Sequence, residues 1–248
     1  METDLLNKSI DGQKNFQVFS GSTLKLMALA AMMIDHTALV LLKEFAFANT
    51  PLLSVGTSIV TLYSLCRLVG RLAFPIYAFL LTEGCLHTHH KKRYGVRLLL
   101  FALISEIPWN LMHNGQIFYE RQNVFFTLFL GYLAICCYER YRKQSVRLLL
   151  TLLGVFAAAL ILKADYGLKG VGFILFLYLM REAKALRALI GCCFFSSPVP
   201  ILFAFLPIGM YNGKRGFIKG KAAQYLFYAA YPLHIMILYL IKERCFGY

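Results

Sequence analysis

The sequence predicts an all-α fold: a polytopic integral membrane helical bundle with about eight transmembrane helices. Composition is the first reason. Of 248 residues, 59% are hydrophobic and 15% charged, with a mean hydropathy of +0.61, against roughly 45–50% apolar residues in a soluble domain. The second reason is that apolar runs of the ~20 residues needed to cross a bilayer recur through most of the chain. The third is the placement of the cations. The 26 Lys and Arg residues outnumber 12 Asp and Glu and gather between the runs, as the positive-inside rule requires of loops. They form no single stripe interleaved with aromatics, so the net charge of +14 points to membrane lipid as a partner and not to nucleic acid.

Residues 1–22 are polar and mixed in charge, and read as a cytoplasmic N-terminal segment. The run that follows is too long and too charged for a signal-peptide core, so no cleavage is expected. Spans are expected near 23–44, 57–86, 96–112, 123–138, 146–162, 168–181, 186–208 and 224–241. Segment 57–86 exceeds one span and must tilt, kink at Pro75 or begin as a non-helical stretch near Gly56. Segments 123–138 and 168–181 are short, which suits helices lining a cavity inside protein. Eight spans place both termini inside, yet put the basic loop 211–221 opposite the basic clusters around Lys91, Arg140 and Arg181. A re-entrant 186–208, interrupted by Pro198, Pro200 and Pro207, would return that loop to the basic side and leave Lys242 and Arg244 on the other. Eight spans is the count adopted. No internal repeat or linker divides 23–242, so a single membrane domain is expected.

Seven cysteines show no C-x-x-C spacing and lie almost entirely in apolar segments, where cysteine packs as a small hydrophobe. No disulfide and no metal site is expected. His87, His89 and His90 adjoin Lys91, Lys92 and Arg93, whose charges oppose a divalent cation. YNGKRG at 211–216 lacks the P-loop spacing, so phosphate binding there would rest on charge alone.

The functional signal lies in ionisable groups at membrane depth, which are costly unless used. LKLMALAAMMIDHTALVLL, residues 24–42, carries Lys25, Asp35 and His36. On a helix, the eleven-residue step from Lys25 to His36 returns to within about 20° of one face, roughly 16 Å along the axis. Asp35 points about 100° away and is placed to orient a group on a neighbouring helix. Arg67 and Arg71 share a face at i, i+4; Glu83, Ser105, Glu106, Asn110, Asn123, Thr127 and His234 complete the inventory. Buried arginines and carboxylates also pair simply to offset their burial, a helix-end lysine snorkels, and a core histidine can be satisfied by a freed carbonyl.

The ordered set LKLMALAAMMIDH, GRLAFPIYAFLLTEG, NVFFTLFLG, ADYGLKGV and YPLHIMIL resembles the TraX family, named for the conjugative-pilin acetylase, over residues 24–241. The Lys-x10-His spacing also resembles the R/K-x10-H motif of the membrane acyltransferase-3 group, and Arg67-x3-Arg71 is loosely similar to its R-x-x-R. The resemblance implies a multi-pass acetyltransferase of the bacterial cytoplasmic (inner) membrane that uses acetyl-CoA as acyl donor. The acceptor is a pilin N-terminal amine in the namesake; here an amine or hydroxyl of an unidentified protein or glycan is expected.

Acetyl transfer needs a base, a cationic seat for the donor's phosphates and donors for the oxyanion. His36 is the expected general base, with Asp35, Arg71 and His234 as further catalytic candidates. Lys25, Arg67, Arg71 and Asn123 are the expected contacts to acetyl-CoA. His36 as an acyl carrier in a two-step route stays open. The competing class is a proton-coupled transporter using Lys25, Asp35, His36 and Arg71; the lack of repeat symmetry and of paired broken helices counts against it.

Overall fold

The computed structural model describes residues 17–55 and 58–247. Helix α1 (Gly21–Val40) begins where the Ser20 hydroxyl accepts the Thr23 N–H at 3.2 Å, an N-cap satisfying one orphan donor. Two 3-10 turns and an antiparallel hairpin, β1 (Leu53–Val55) and β2 (Ser58–Val60), follow, a small exception to an otherwise helical chain. The helix expected from residue 57 starts only at Leu62, where Thr61 and Ser64 form a capping box. It is divided: α2 (Leu62–Gly70) and α3 (Ala73–His87) are separated by a turn at Arg71 and Leu72. Pro75 causes the break, since its ring excludes the carbonyl four residues earlier, that of Arg71.

The remaining helices are α4 (Lys91–Asn114), α5 (Val124–Tyr141), α6 (Ser145–Ile161), α7 (Gly167–Leu179), α8 (Lys184–Gly191), α9 (Pro198–Gly209) and α10 (Lys221–Phe246). Five helical segments, 21–44, 62–87, 91–114, 124–141 and 221–246, are long and apolar enough to cross a membrane. The shorter α6 and α7 pack on α5. Their neighbours cover α7, whose Val171, Phe173, Ile174 and Leu177 are fully buried. The outer α6 exposes Leu149, Leu150, Leu153 and Ile161 instead, an apolar surface too continuous for water and suited to lipid.

Hydrogen bonds fix which helix ends lie together. The loop after α9 closes over the start of α1: Gly21 N–H donates to the Lys214 carbonyl at 2.8 Å, Ser22 N–H to the Arg215 carbonyl at 2.9 Å, and Ile218 N–H to the Ser22 hydroxyl at 2.8 Å. Gly216 makes this closure possible, for its φ of +88° suits glycine and a Cβ there would overlap the Ser20 and Ser22 hydroxyls. Arg97 near the start of α4 donates to Gln224 of α10 at 3.0 Å, and the Tyr132 hydroxyl of α5 donates to the Lys91 carbonyl at 2.6 Å. Residues 91–97, 140–147, 181–187 and 211–221 thus share one end of the bundle, hereafter the basic face. At the opposite face Lys242 pairs with Glu44 at 3.6 Å.

The seventh expected span, 186–208, is where the structure corrects the sequence. Arg187 of α8 lies over the Phe79 ring at 5.2 Å, and Tyr211, just beyond α9, packs edge-on against the same ring at 5.3 Å. Between them, Ser197 bonds Arg71, two turns along α3 toward the far face. Residues 184–209 therefore enter and leave on the basic face as a re-entrant hairpin, with Pro198 opening its returning arm. The loop 211–221 joins the other basic clusters, and Gly21 and Phe246 lie at opposite ends of the bundle, not on one side. Physically, Pro, Gly and Ser residues shorten both arms below a span, and the non-helical turn between them is anchored by Phe195 packing on Phe74, Tyr166 and Phe173 and by Ser197 on Arg71. Cys245 is exposed near the end of α10, so a membrane-impermeant maleimide is expected to reach it only from the opposite face, and an engineered Lys214→Cys only from the basic face. Labelling of both positions from one side would contradict this topology.

Candidate functional site

Two histidines from helices 198 residues apart in sequence meet at the centre. His36 Nδ1 lies 2.6 Å from His234 Nε2, with the rings nearly parallel and their centroids 4.8 Å apart. Both side chains are buried. His234 Nδ1 lies 2.7 Å from the Ala230 carbonyl. A carbonyl only accepts, so His234 Nδ1 carries the proton and its neutral Nε2 is an acceptor. His36 Nδ1 must then be the donor to it. The chain of bonds leaves the lone pair of His36 on Nε2, the arrangement of a base held by an orienting partner.

A cavity of about 530 Å³ runs from the basic face toward this pair. Gln224, Gly213 and Arg215 line its outer part; Met32, Phe125 and Tyr231 line its inner part. Tyr231 packs edge-on to both imidazoles, at 5.8 Å from His36 and 5.9 Å from His234. Lys25, Arg97 and Arg215 put three cations on the wall, opposed by Glu83. Lys25 and His36 face inward on α1 as their spacing requires. Among the described residues Lys25 has no hydrogen-bonding or ion-pair partner, so its charge is free for an anion.

The other expected residues lie elsewhere. Asp35 bonds Arg67 at 2.6 Å, fixing α1 against α2. Gly70 is needed for that approach, since a Cβ there would overlap the Asp35 carboxylate. Arg71 sits at the α2–α3 break on Ser197. Asn123 is fully buried; its amide donates to the Ala102 carbonyl and to Glu106, and its oxygen caps α5 through Phe125 N–H. Neither arginine nor Asn123 lines the cavity, and the two histidines lie just behind its wall, reached through Tyr231.

Arg97 reads in the sequence as a topology charge and Tyr231 carries no functional signal there, whereas Arg215 lies in the 211–216 loop, where phosphate binding would rest on charge alone. Asp165, in the loop between α6 and α7, lies within electrostatic reach of Arg121, Asp35 and Arg67. That loop is held by Gln122 N–H donating to the Lys163 carbonyl at 3.2 Å and by the Lys163–Glu120 ion pair at 2.6 Å, with Lys163 at φ 47°. Loss of water pushes the Asp165 carboxyl up to about 7; Arg121 opposes the rise and Asp35 adds to it. The protonated form is thus favoured in the folded protein, so stability falls as pH rises from the ordinary carboxyl range to about 7 and then levels off. Thermal unfolding in detergent should show this decline between pH 5 and 7, and Asp165→Asn should flatten it. An unchanged slope in the variant would assign the pH dependence to other groups.

The TraX family, described as "TraX protein", matches residues 20–242. A curated relative from Dichelobacter nodosus, "Probable fimbrial assembly protein FimC, serogroup H1", is 30% identical over 249 aligned positions, covering 89% of this chain and 94% of the relative. No solved structure matches.

Proposed function

This chain belongs to the TraX family, and from that premise we propose that it is an inner-membrane acyltransferase moving an acetyl group from acetyl-CoA to an amine on a pilus-associated protein. The observation carrying the proposal is the cavity that opens on the basic face and extends inward to Tyr231, whose ring packs on a histidine pair with hydrogen bonds that leave His36 Nε2 unprotonated. The positive-inside rule turns that face to the cytoplasm, where acetyl-CoA is available. Lys25, Arg97 and Arg215 attract the CoA phosphates, and the roughly 16 Å from Lys25 to His36 along α1 is comparable to the reach of the pantetheine arm.

In the direct route the acceptor nitrogen attacks the thioester carbonyl carbon and His36 Nε2 takes the proton it loses. The C–S bond then breaks, and the proton passes to the departing thiolate, giving an N-acetylated product and free CoA. His234 holds the His36 ring and disperses the imidazolium charge, as an orienting partner does. An α-amine, with a reference pKa near 7.7–8.0, is partly neutral already and makes a modest demand on the base. Asp35 and Arg67 position α1 from behind. Membership of the TraX family and a relative described as a probable fimbrial assembly protein support a pilus-related acceptor.

The test is CoA release by the purified protein in lipid nanodiscs given acetyl-CoA and a peptide with a free N-terminus. Release with acetylation of that terminus supports the proposal. Absence of release, together with proton or solute flux that depends on His36, would replace the enzyme with a carrier.

A further inference from the structure

Tyr231 stands out among the buried polar groups. The residue is only 3% exposed, yet among the described residues its hydroxyl has no hydrogen-bond partner. Leaving such a group unpaired in the interior costs roughly 1–3 kcal/mol, so a phenylalanine would be the more stable choice at a purely structural position. The ring is clamped by Phe125, edge-on at 5.3 Å, and by the two imidazoles. It lines the inner end of the cavity. The Val124 N–H at the start of α5 lies close to the Tyr231 oxygen without meeting hydrogen-bond geometry, so the positive end of that helix dipole faces the same spot.

Resting on the acyltransferase reading above, we infer that Tyr231 is a catalytic residue whose hydroxyl donates a hydrogen bond to the acyl carbonyl oxygen at the His36 site and stabilises the oxyanion of the tetrahedral intermediate. The geometry supplies what such a donor needs. It is rigid, shielded from water, beside the base, and has no competing acceptor for its proton. Attack on the carbonyl carbon moves the C=O electron pair onto oxygen, where the Tyr231 O–H and the α5 terminus meet it. Collapse of the intermediate returns the pair as the C–S bond breaks, and Tyr231 keeps its proton throughout. His36 handles the nitrogen's proton, so the two side chains divide the work.

Tyr231→Phe tests the division. It keeps the ring contacts and removes only the unpaired hydroxyl. The expected result is a fall in kcat of about 100-fold, in line with loss of one oxyanion donor, with KM for acetyl-CoA within about twofold and a melting temperature equal to or above that of the native protein. A structural role alone would lower the melting temperature and leave kcat near native. A second measurement needs no turnover: the carbonyl stretch of acetyl-CoA labelled with carbon-13 at its carbonyl, bound to His36→Ala, should lie at lower frequency than in His36→Ala/Tyr231→Phe. Native-like kcat in Tyr231→Phe, with His36→Ala inactive, would overturn this inference and leave the acyltransferase reading standing. A native protein that neither binds nor cleaves acetyl-CoA would overturn both.

Discussion

Replacing His36 with alanine is expected to lower acetyl transfer by about 10²–10⁴-fold, the range for loss of a general base, while the protein stays folded. The bundle does not depend on this imidazole: α1 is also held by Leu24 and Ala28 in the core, by the Asp35–Arg67 pair and by the loop closing over Gly21. His234 acts through His36, so its replacements should separate position from proton transfer. His234→Ala removes the acceptor for His36 Nδ1–H and frees the ring to turn. His234→Gln offers an amide oxygen to the same N–H and should recover part of the loss. CoA release at several pH values reads the difference, because misorienting the base lowers the plateau rate. Activity in His36→Ala equal to that of the native protein would remove the base from the mechanism.

Lys25→Ala and Arg215→Ala should act on the donor instead. A hydrogen bond to a charged partner contributes roughly 1.5–3 kcal/mol, so each is expected to raise KM for acetyl-CoA about 10- to 100-fold with kcat little changed. The increase should be smaller for a donor lacking the nucleotide phosphates, such as an acetyl-pantetheine thioester. A steady-state comparison of the two donors, native against variant, checks it. A fall in kcat with KM unmoved would place these cations at the reacting carbonyl and not at the phosphates.

The helical class, the membrane setting and the inward stripe carrying Lys25 and His36 were legible because they depend on local composition and on the 3.6-residue period alone. The kink at Pro75 was legible for the same reason, being a property of one ring and one carbonyl. The path of 184–209 was not, because hydropathy registers that a segment is apolar and not whether it returns to the side it came from. Only the shared contact of Arg187 and Tyr211 with Phe79 decides that. The candidate site divides along the same line. Asp35 was expected to serve a neighbouring helix, but its partner Arg67 was expected at the donor. His234 was named without its bond to His36, a pairing across 198 residues that no spacing rule anticipates. Tyr231 carried no signal, since one tyrosine among 15 gains meaning only from an unpaired hydroxyl beside two imidazoles.

The central claim is that the acyl donor enters from the basic face and reaches His36 through the cavity. Proteoliposomes of fixed orientation, with Cys245 labelling marking the opposite face, allow acetyl-CoA, which does not cross the bilayer, to be supplied on either side alone. CoA should be released only when acetyl-CoA is given on the side of Arg215, and not at all in His36→Ala vesicles of the same orientation. Release driven from the side of Cys245, or release indifferent to His36, would contradict the account.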